Sequence, residues 1–352
     1  MRHDPLPPFQ TEASLPDLPF AVIDALIRAR AAEQGLDLHD GHGRSTWVTL
    51  PGGDEFGARK GPTGSILYAR AHGRDRLHAL RDAMTRHLAG RLPDLVGDLG
   101  VAWSSLDRPG AFPPNFSLAR VAGVTAIGRD FLRLRLEGGD LARFARELIH
   151  FRLALPPAGA APVWPVIGAD GRTLWPRGRA ALHRPAYTVR RIDPAAGWME
   201  TDIFLHPGGR TCAFAMAAAP GTPVGLTGPG GGGPARGRVL LIGGDETAYP
   251  ALARIIEAAP PDAAGECHLF GARADYPLPA HPGIRILHAP QGEAALAERL
   301  RQAGTEADAI WLATERVRLE PLKAAIQGIP GIDRARAHLA AYWSARGAAS
   351  TR

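Results

Sequence analysis

Arg184, Tyr187 and Thr188 are the residues of this chain whose types and spacing best suit chemistry. They lie in the run 184–190, RPAYTVR, which we predict to be one extended strand. Side chains alternate along a strand, so Arg184 and Thr188 would share a face and Tyr187 would point the other way. A flavin needs such a set: a cation for its phosphates, a flat ring beside the isoalloxazine and a small hydrogen-bonding group near the reactive ring nitrogen. The alternative is an ordinary strand with polar edge residues.

A second candidate site follows the apolar run 239–242, VLLI, where the chain reads GGDETAYPA over 243–251. Glycines at the carboxyl end of a parallel strand let a ligand approach the backbone closely. The N-terminus of the following helix offers free N–H groups to a phosphate or polarised group. The usual binding place in such a sheet is the crevice at its switch point. A tight strand-to-helix turn is the alternative explanation of these glycines.

Three segments must position these residues. Residues 1–115 predict a small α+β domain of unknown role, and the stretch 108–114 is typical of a linker. Short alternating runs over 116–235 predict an antiparallel β-barrel. Strands and helices alternate over 236–352, which predicts a doubly wound parallel α/β domain.

Individual elements follow from apolar periodicity. Helices are predicted at 19–34, 74–92, 249–258, 293–301 and 319–326. Strands are predicted at 45–50, 65–71, near 101–103, around 132–136, 151–155, 201–206, 239–242, 268–271, 284–287, 310–313 and 338–342.

The glycine-rich run 228–234, GPGGGGP, contains a G-x-G-x-x-G match. A dinucleotide fingerprint must follow a strand and open a helix, whereas this run precedes a strand. We therefore predict a flexible linker between domains.

Composition narrows the function classes. The 352 residues include 41 Lys and Arg against 35 Asp and Glu, a net charge of +6, but no basic block of the nucleic-acid-binding type. Two cysteines exclude a disulfide framework or a four-cysteine metal site from this chain alone. The 13 histidines lack metal-ligand spacing, so no metal site is expected. No apolar run is long enough to span a membrane and no signal core is seen, so we expect a cytoplasmic protein.

Taken together, residues 117–345 resemble the siderophore-interacting proteins, FAD-containing ferric-siderophore reductases related to ferredoxin–NADP reductases. The resemblance rests on Arg-x-x-Tyr-Thr-x-Arg at 184–190, Phe-Leu-His at 204–206 and Gly-Asp-Glu-Thr-Ala-x-Pro-Ala after a Leu-Leu-Ile strand. It includes Trp164-Pro165, Gly171-Arg172 and Ala341-Tyr342-Trp343.

The resemblance implies roles for barrel residues in FAD binding. Arg184 would pair with a phosphate oxygen, Tyr187 would pack on the flavin ring, and Thr188 would bond near its N5 edge. The implied set also contains Val189, beside Thr188, and His206, at the end of the next strand. It further contains Gly209, Thr211 and Cys212 of the segment 209–214, whose backbone amides would hold the pyrophosphate. This segment departs from the family's Gly-Pro-Ala-Ser-x-Trp, because Cys212 stands at the serine and Phe214 at the tryptophan. Thr211 would replace the missing hydroxyl, and Cys212 is expected to be small and buried rather than catalytic.

In the α/β domain the resemblance implies a nicotinamide-side set: Gly244, Asp245, Glu246, Thr247, Glu315 and Trp343. Residues 311–315 match Trp-x-Ala-Gly-Glu except that Thr314 replaces the glycine, so its Cβ would crowd the approach of NAD(P)H. Ser344 stands where an arginine is usual, which favours NADH over NADPH.

The implied reaction is hydride transfer from NADH or NADPH to FAD, followed by one-electron reduction of siderophore-bound Fe(III) and iron release. No protein residue is assigned as catalytic, since the flavin does the chemistry. The ferric siderophore would lie in a basic cleft between barrel and α/β domain, with Arg190 as a candidate lining residue. The rivals are a general flavin or quinone reductase and a non-catalytic siderophore-binding protein.

Overall fold

The computed structural model describes residues 6–345 apart from 51, 93–100, 106, 139, 147, 272–274, 289–291, 304, 331 and 333–335. The chain forms two compact units, one of residues 1–117 with 159–182 and the other of residues 118–158 with 183–352. The domain boundaries predicted at 115 and 235 stay a prediction.

In the first unit a five-stranded sheet carries two helices. The sheet has the order β1-β5-β4-β3-β2 and is antiparallel. Its elements are β1 (Phe9–Pro16), α1 (Phe20–Gln34), β2 (Asp37–Asp40), β3 (Ser45–Thr49), β4 (Glu55–Lys60), β5 (Gly64–Ala71) and α2 (Arg74–Arg91). The predicted helices are confirmed because each buries one apolar stripe, as α1 does with Phe20, Ile23 and Ile27. The strand predicted near 101–103 is wrong, since Trp103 only forms an isolated bridge with Ala13.

The segment 159–182 leaves the second unit and packs with the first. It contains the paired two-residue strands β9 (Val166–Ile167) and β10 (Thr173–Leu174) and a short 3₁₀ turn, Gly178–Ala180. We call these residues the excursion.

The second unit opens with an antiparallel, barrel-like sheet of seven strands in the order β11-β8-β14-β6-β7-β13-β12. Its elements are β6 (Phe116–Ile127), β7 (Phe131–Glu137), β8 (His150–Ala154), β11 (Ala186–Thr188), β12 (Arg191–Asp193), β13 (Trp198–Phe204), α3 (Arg210–Ala217) and β14 (Pro223–Gly230). Inward residues such as Leu134, Leu136, Leu153 and Leu226 are fully buried and form its core.

Two predictions in this region are wrong. The run 184–190 is not one strand, because only Ala186–Thr188 are extended and paired with β8. Pro185 has no N–H for a ladder and contributes only its carbonyl, which accepts from the Leu153 amide at 3.1 Å. The glycine-rich run is not wholly a linker either, since β14 continues through Gly230 and pairs with His150 there.

The rest of the second unit is a five-stranded parallel sheet in the order β17-β16-β15-β18-β19, which confirms the predicted α/β domain. Its elements are β15 (Val239–Gly244), α4 (Tyr249–Ala258), β16 (Ala264–Leu269), β17 (Ile284–His288), α5 (Glu293–Ala303), β18 (Ala309–Glu315), α6 (Arg316–Gln327) and β19 (Ala337–Trp343). The first strand of this domain, β15, lies between β16 and β18, so the order reverses between β15 and β18. The carboxyl ends of these two strands frame the switch point.

Candidate active site

The segment predicted to hold the pyrophosphate forms the N-terminus of α3. Gly209 precedes the helix, and no side chain caps its first turn. A Cβ on Gly209 would lie 2.6 Å from Sγ of Cys212 and 2.9 Å from Nε2 of His206, so the backbone is closely enclosed there. Because the first amides of a helix point outward with the positive end of its dipole, this turn fits a pyrophosphate.

Side chains around that turn link α3 to the strand β11. The Thr211 hydroxyl lies 3.3 Å from Nε2 of His183. Burial raises the pKa of Tyr187 to about 12, against a hydrogen bond with Thr211 that lowers it. Cys212 is 3 % exposed, and its thiol donates to the Phe204 carbonyl at 3.3 Å, as expected of a small buried residue. The structure thus brings Tyr187, Thr211 and Cys212 together.

Arg184 and His206 lie at the surface of the barrel. Arg184 precedes β11, and its carbonyl accepts from Nη1 of Arg152 at 3.0 Å. Because Arg184 lies outside the strand, the alternation rule does not put its side chain on the face of Thr188. His206 is exposed and follows β13, with Nδ1 3.2 Å from the Pro207 carbonyl.

Thr188 belongs to a buried polar group on the other side of β11. Its hydroxyl is 3.5 Å from Nδ1 of His150, and Nε2 of His150 is 3.0 Å from the Tyr342 hydroxyl. Burial lowers the pKa of His150 to about 4 and raises the pKa of Tyr342, so at neutral pH the imidazole is uncharged and the phenol keeps its proton. Val189, next in the chain, is fully buried in the barrel core.

Asp245 connects the carboxyl ends of three strands. It is fully buried, and Oδ1 accepts from the amide and hydroxyl of Thr247 at 3.0 and 2.5 Å. Oδ2 accepts from the Thr314 hydroxyl at 2.8 Å, the Glu315 amide at 3.0 Å and Nε1 of Trp343 at 2.9 Å. One carboxylate therefore fixes the loop after β15 against the ends of β18 and β19.

The side chain of Thr314 is turned into this network. Thr314 is fully buried and donates to Asp245. The residue that departs from the family pattern therefore has an internal partner. Its expected crowding of NAD(P)H stays a prediction.

The glycines of the second candidate site face protein atoms. A Cβ on Gly244 would lie 2.4 Å from the Ala313 carbonyl oxygen and 2.5 Å from Cβ of Ala248. Glu246, 8 % exposed, lies against Gly271, where a Cβ would meet its carboxylate at 2.6 Å. Close backbone packing thus requires glycine at Gly244 irrespective of any ligand.

Tyr342 and Trp343 join the two sets of predicted residues. Tyr342 contacts the His150 imidazole in the barrel, while Trp343, its neighbour in the chain, bonds Asp245 at the sheet edge. The Trp343 ring is 43 % exposed. Sequence reasoning missed His150, because its place opposite Thr188 depends on strand register.

The guanidinium of Arg316 lies beside Ser344, the position at which an arginine is usual in the family. Nε of Arg316, at the start of α6, donates to the Ser344 hydroxyl at 3.2 Å. The expectation that Ser344 favours NADH over NADPH stays a prediction.

Arg190 joins the barrel to the α/β domain. It is 4 % exposed and makes two bonds of 2.7 Å to Glu257 on α4 and one of 3.1 Å to the Tyr276 hydroxyl. Tyr276 in turn donates to Asp202 at 2.7 Å, and Asp202 also holds Arg133 through two bonds of 2.7 Å. The expectation that Arg190 lines an open cleft is wrong, because this ion pair buries it.

The described residues offer neither a metal site nor a membrane-spanning helix. They contain no group of three or more His, Cys, Asp or Glu residues arranged to hold a metal. Among their helices, none combines the length and apolar character that a membrane crossing demands.

Comparison with known proteins matches most of the second unit together with the excursion. Residues 120–233 match the siderophore-interacting FAD-binding domain, and residues 237–346 match the siderophore-interacting protein family. The first of these domains is thus of an FAD-binding type.

Curated relatives support the same assignment. The NADPH-dependent ferric-chelate reductase of Escherichia coli is 30% identical over 241 residues, which cover 64% of this chain and 92% of that protein. The ferric vibriobactin reductase ViuB of Vibrio cholerae is 29% identical over 150 residues, covering 40% of this chain and 52% of ViuB. The chain thus spans about half the length of that relative.

A solved structure agrees in fold. A siderophore utilization protein from T. fusca superimposes with a TM-score of 0.55 at 28% identity, over 67% of this chain and 95% of that one. With both domain matches and a relative covered over most of its length, the chain belongs to the siderophore-interacting protein family.

Proposed function

We propose that this protein is an FAD-dependent reductase that uses NADH or NADPH to reduce iron held in a ferric siderophore. The observation that carries the proposal is the Tyr342–Trp343 pair, which ties the predicted flavin residues to the predicted nicotinamide residues through His150 and Asp245. The redox chemistry would be supplied by bound FAD, which can accept a hydride from a nicotinamide and release its two electrons one at a time to two ferric ions.

The barrel residues would bind and orient the flavin. Arg184 supplies a guanidinium for a phosphate oxygen, and the first amides of α3 after Gly209 bind the pyrophosphate. The Tyr187 ring packs beside the isoalloxazine. The Thr188 hydroxyl, held by His150, forms the polar boundary near the reactive edge.

The sheet-edge residues would receive the nicotinamide. Asp245 acts indirectly, since all its bonds go to protein groups and fix the backbone of Glu315 and the ring of Trp343. The exposed Trp343 face is then available to cover the reacting rings, and Glu246 and Thr247 border the same switch-point crevice.

The substrate proposal follows from charge and family. A net charge of +6 favours ferric chelates that carry negative charge. We propose a cytoplasmic reaction, because NADH and NADPH are supplied there. Cell fractionation followed by immunodetection tests the location.

The function is tested by the purified protein itself. We expect a yellow protein with a flavin absorbance spectrum that releases ferrous iron from a ferric siderophore, trapped by a ferrous-specific dye, only when NADH or NADPH is added. A parallel assay with free flavin or a quinone as acceptor separates the rivals. A colourless protein that cannot be loaded with FAD, or a marked preference for the quinone, would contradict the proposal.

A further inference from the structure

The excursion, residues 159–182, has little regular structure of its own. It contains 24 residues, but its only regular elements are β9, β10 and one 3₁₀ turn. Fixing a segment of this length costs conformational entropy that such short elements do not offset. Its order must therefore come from the residues against which it packs.

The N-terminal residues supply backbone and aromatic contacts. The amide of Ile167 donates to the Ala111 carbonyl at 2.9 Å, and the Gly110 amide donates to the Ile167 carbonyl at 2.8 Å. The Phe116 ring lies 5.9 Å from the ring of Trp164. These contacts hold the first half of the excursion.

A buried polar cluster on α2 holds the second half. Nε2 of His78 lies 2.8 Å from the Thr173 hydroxyl, which donates to Asp82 at 2.6 Å. Nδ1 of His78 is 3.0 Å from Asp107, and its bond holds the pKa of that carboxyl down to about 2. Arg81 reaches the Gly171 carbonyl at 3.2 Å. His78 is 1 % exposed and Arg81 3 % exposed, so solvent cannot replace these bonds.

Asp107, His78 and Thr173 are connected in the same order as the carboxylate, imidazole and hydroxyl of a nucleophilic triad. The hydroxyl hydrogen, however, is not directed at the imidazole. A nucleophile would give its hydroxyl hydrogen to the imidazole. The Thr173 hydroxyl instead gives its single hydrogen to Asp82, so that hydrogen is not available to the His78 imidazole. The cluster is therefore a fastening and not a catalytic centre.

The chain order connects this fastening to the flavin motif. The excursion ends at Leu182, and His183 pairs with Leu155 through two backbone bonds of 2.9 Å. Arg184 follows directly, and only 11 positions separate it from Thr173. Freedom in the excursion would act first on this pairing of His183 with Leu155, and loosening of the pairing would free Arg184, the residue that begins the flavin motif.

We propose that the N-terminal unit is a positioning element for flavin binding, and that the bond between His78 and Thr173 fastens the excursion so that Arg184 is presented in one conformation. This gives residues 1–115 a role, and it rests on the proposed function through the phosphate contact of Arg184.

The test uses the full-length protein with Thr173→Val, which keeps the side-chain volume but removes both hydroxyl bonds. Amide hydrogen exchange reports on residues 159–182, and fluorescence titration gives the dissociation constant for FAD. We expect exchange in the excursion to accelerate about tenfold and the FAD dissociation constant to rise about fivefold, as the loss of the two hydroxyl bonds implies. Thr173→Ser keeps the hydroxyl and is expected to behave as the native protein does.

The matched control is Thr49→Val. The Thr49 hydroxyl also lies 3.0 Å from a histidine nitrogen, Nε2 of His39, but that pair joins β2 to β3 and does not touch the excursion. We expect neither exchange in the excursion nor FAD binding to change. Equal effects of the two valine variants would overturn the inference, because they would indicate general destabilisation.

Two further results would overturn the inference: unchanged exchange in Thr173→Val, or faster exchange with unchanged FAD affinity. Arg184→Ala, measured alongside, is expected to weaken FAD binding by itself. Unchanged affinity in that variant would remove the link between the excursion and the cofactor. A native protein that binds no FAD would instead overturn the proposed function, while the exchange data would still decide whether Thr173 fastens the excursion.

Discussion

The indole nitrogen of Trp343 donates to Oδ2 of Asp245 at 2.9 Å, across 98 positions of the chain. The same oxygen accepts from Thr314 and from the Glu315 amide. This one carboxylate oxygen therefore holds the end of β19 against the switch point.

Asp245→Asn should destabilise the protein, because an amide NH₂ in place of either oxygen would face groups that are donors themselves. We expect a loss of about 3 kcal/mol in the free energy of unfolding, as for buried groups left unsatisfied. Urea denaturation measures it. Asp193→Asn is the control, since Asp193 accepts one amide in an exposed turn and should cost less than about 1 kcal/mol. Equal losses would show that Asp245 is not a connecting residue.

Thr314→Gly, which restores the family residue, tests whether the Thr314 side chain crowds NAD(P)H or instead stabilises the protein through Asp245. Because the Thr314 side chain is directed into Asp245, we expect stability to fall by about 2 kcal/mol and KM for NADH or NADPH not to fall. Thr314→Val keeps the Cβ and removes the hydroxyl, so it should lose stability as well. A lower KM or faster flavin reduction in the glycine variant alone would mean that the Cβ does obstruct the nucleotide.

Arg190→Gln should affect the transfer of hydride more than the binding of FAD. Arg190 follows Val189 in the barrel and is paired with Glu257 on α4. Helix α4 follows the loop after β15 that contains Asp245. Loosening this contact should slow flavin reduction about tenfold, since small misplacements of reacting groups cost rate steeply. Stopped-flow absorbance with NADPH measures the rate, and equilibrium titration measures FAD affinity.

The adjacent Arg191 provides the control for this experiment. It is exposed in β12, so Arg191→Gln should leave both quantities unchanged. If Arg190→Gln weakens FAD binding and leaves the reduction rate alone, the interface does not set the distance between the two rings.

Acid should destabilise the protein through His150. Burial lowers the pKa of His150 to about 4 in the folded protein, below the ordinary value of 6.5. Between these values the unfolded chain binds a proton that the folded chain does not, so stability is complete above about pH 6.5 and falls as the pH drops toward about 4. His183 and His338, whose pKa values are also lowered by burial, act in the same direction.

His150→Phe keeps a ring against Tyr342 but cannot titrate. The difference in urea midpoint between about pH 7.5 and about pH 5 should therefore be smaller in this variant than in the native protein. His288→Phe, at an exposed position of β17, should retain the native difference. An unchanged pH dependence in His150→Phe would show that this imidazole does not stay neutral on folding.

The sequence predicted the parts of the site that local pattern determines. The alternating strands and helices after residue 236 gave the parallel sheet, and the loop after β15 was identified from Gly244 and Asp245. It did not predict that Asp245 bonds Thr314, because that contact depends on the pairing of β15 with β18. The ion pair of Arg190 with Glu257 was likewise not predicted. Its partners are 67 positions apart, so the sequence alone does not distinguish Arg190 from a surface arginine.

The fold predictions that proved wrong also have local causes. Proline and glycine over 228–234 do not end strand β14, whose pairing with β8 reaches Gly230. In 184–190, by contrast, a single proline, Pro185, is enough to limit the strand to three residues. The attachment of the excursion to α2 required the contact of His78 with Thr173, 95 positions apart.

The most direct test of the central claim is anaerobic spectroscopy of the FAD-loaded protein. Addition of NADPH or NADH should bleach the flavin absorbance, and subsequent addition of a ferric siderophore should restore it while one ferrous ion is released for each electron transferred. A flavin that the nicotinamides reduce but the ferric siderophore does not reoxidise would contradict the account, as would a protein whose flavin neither NADH nor NADPH can reduce.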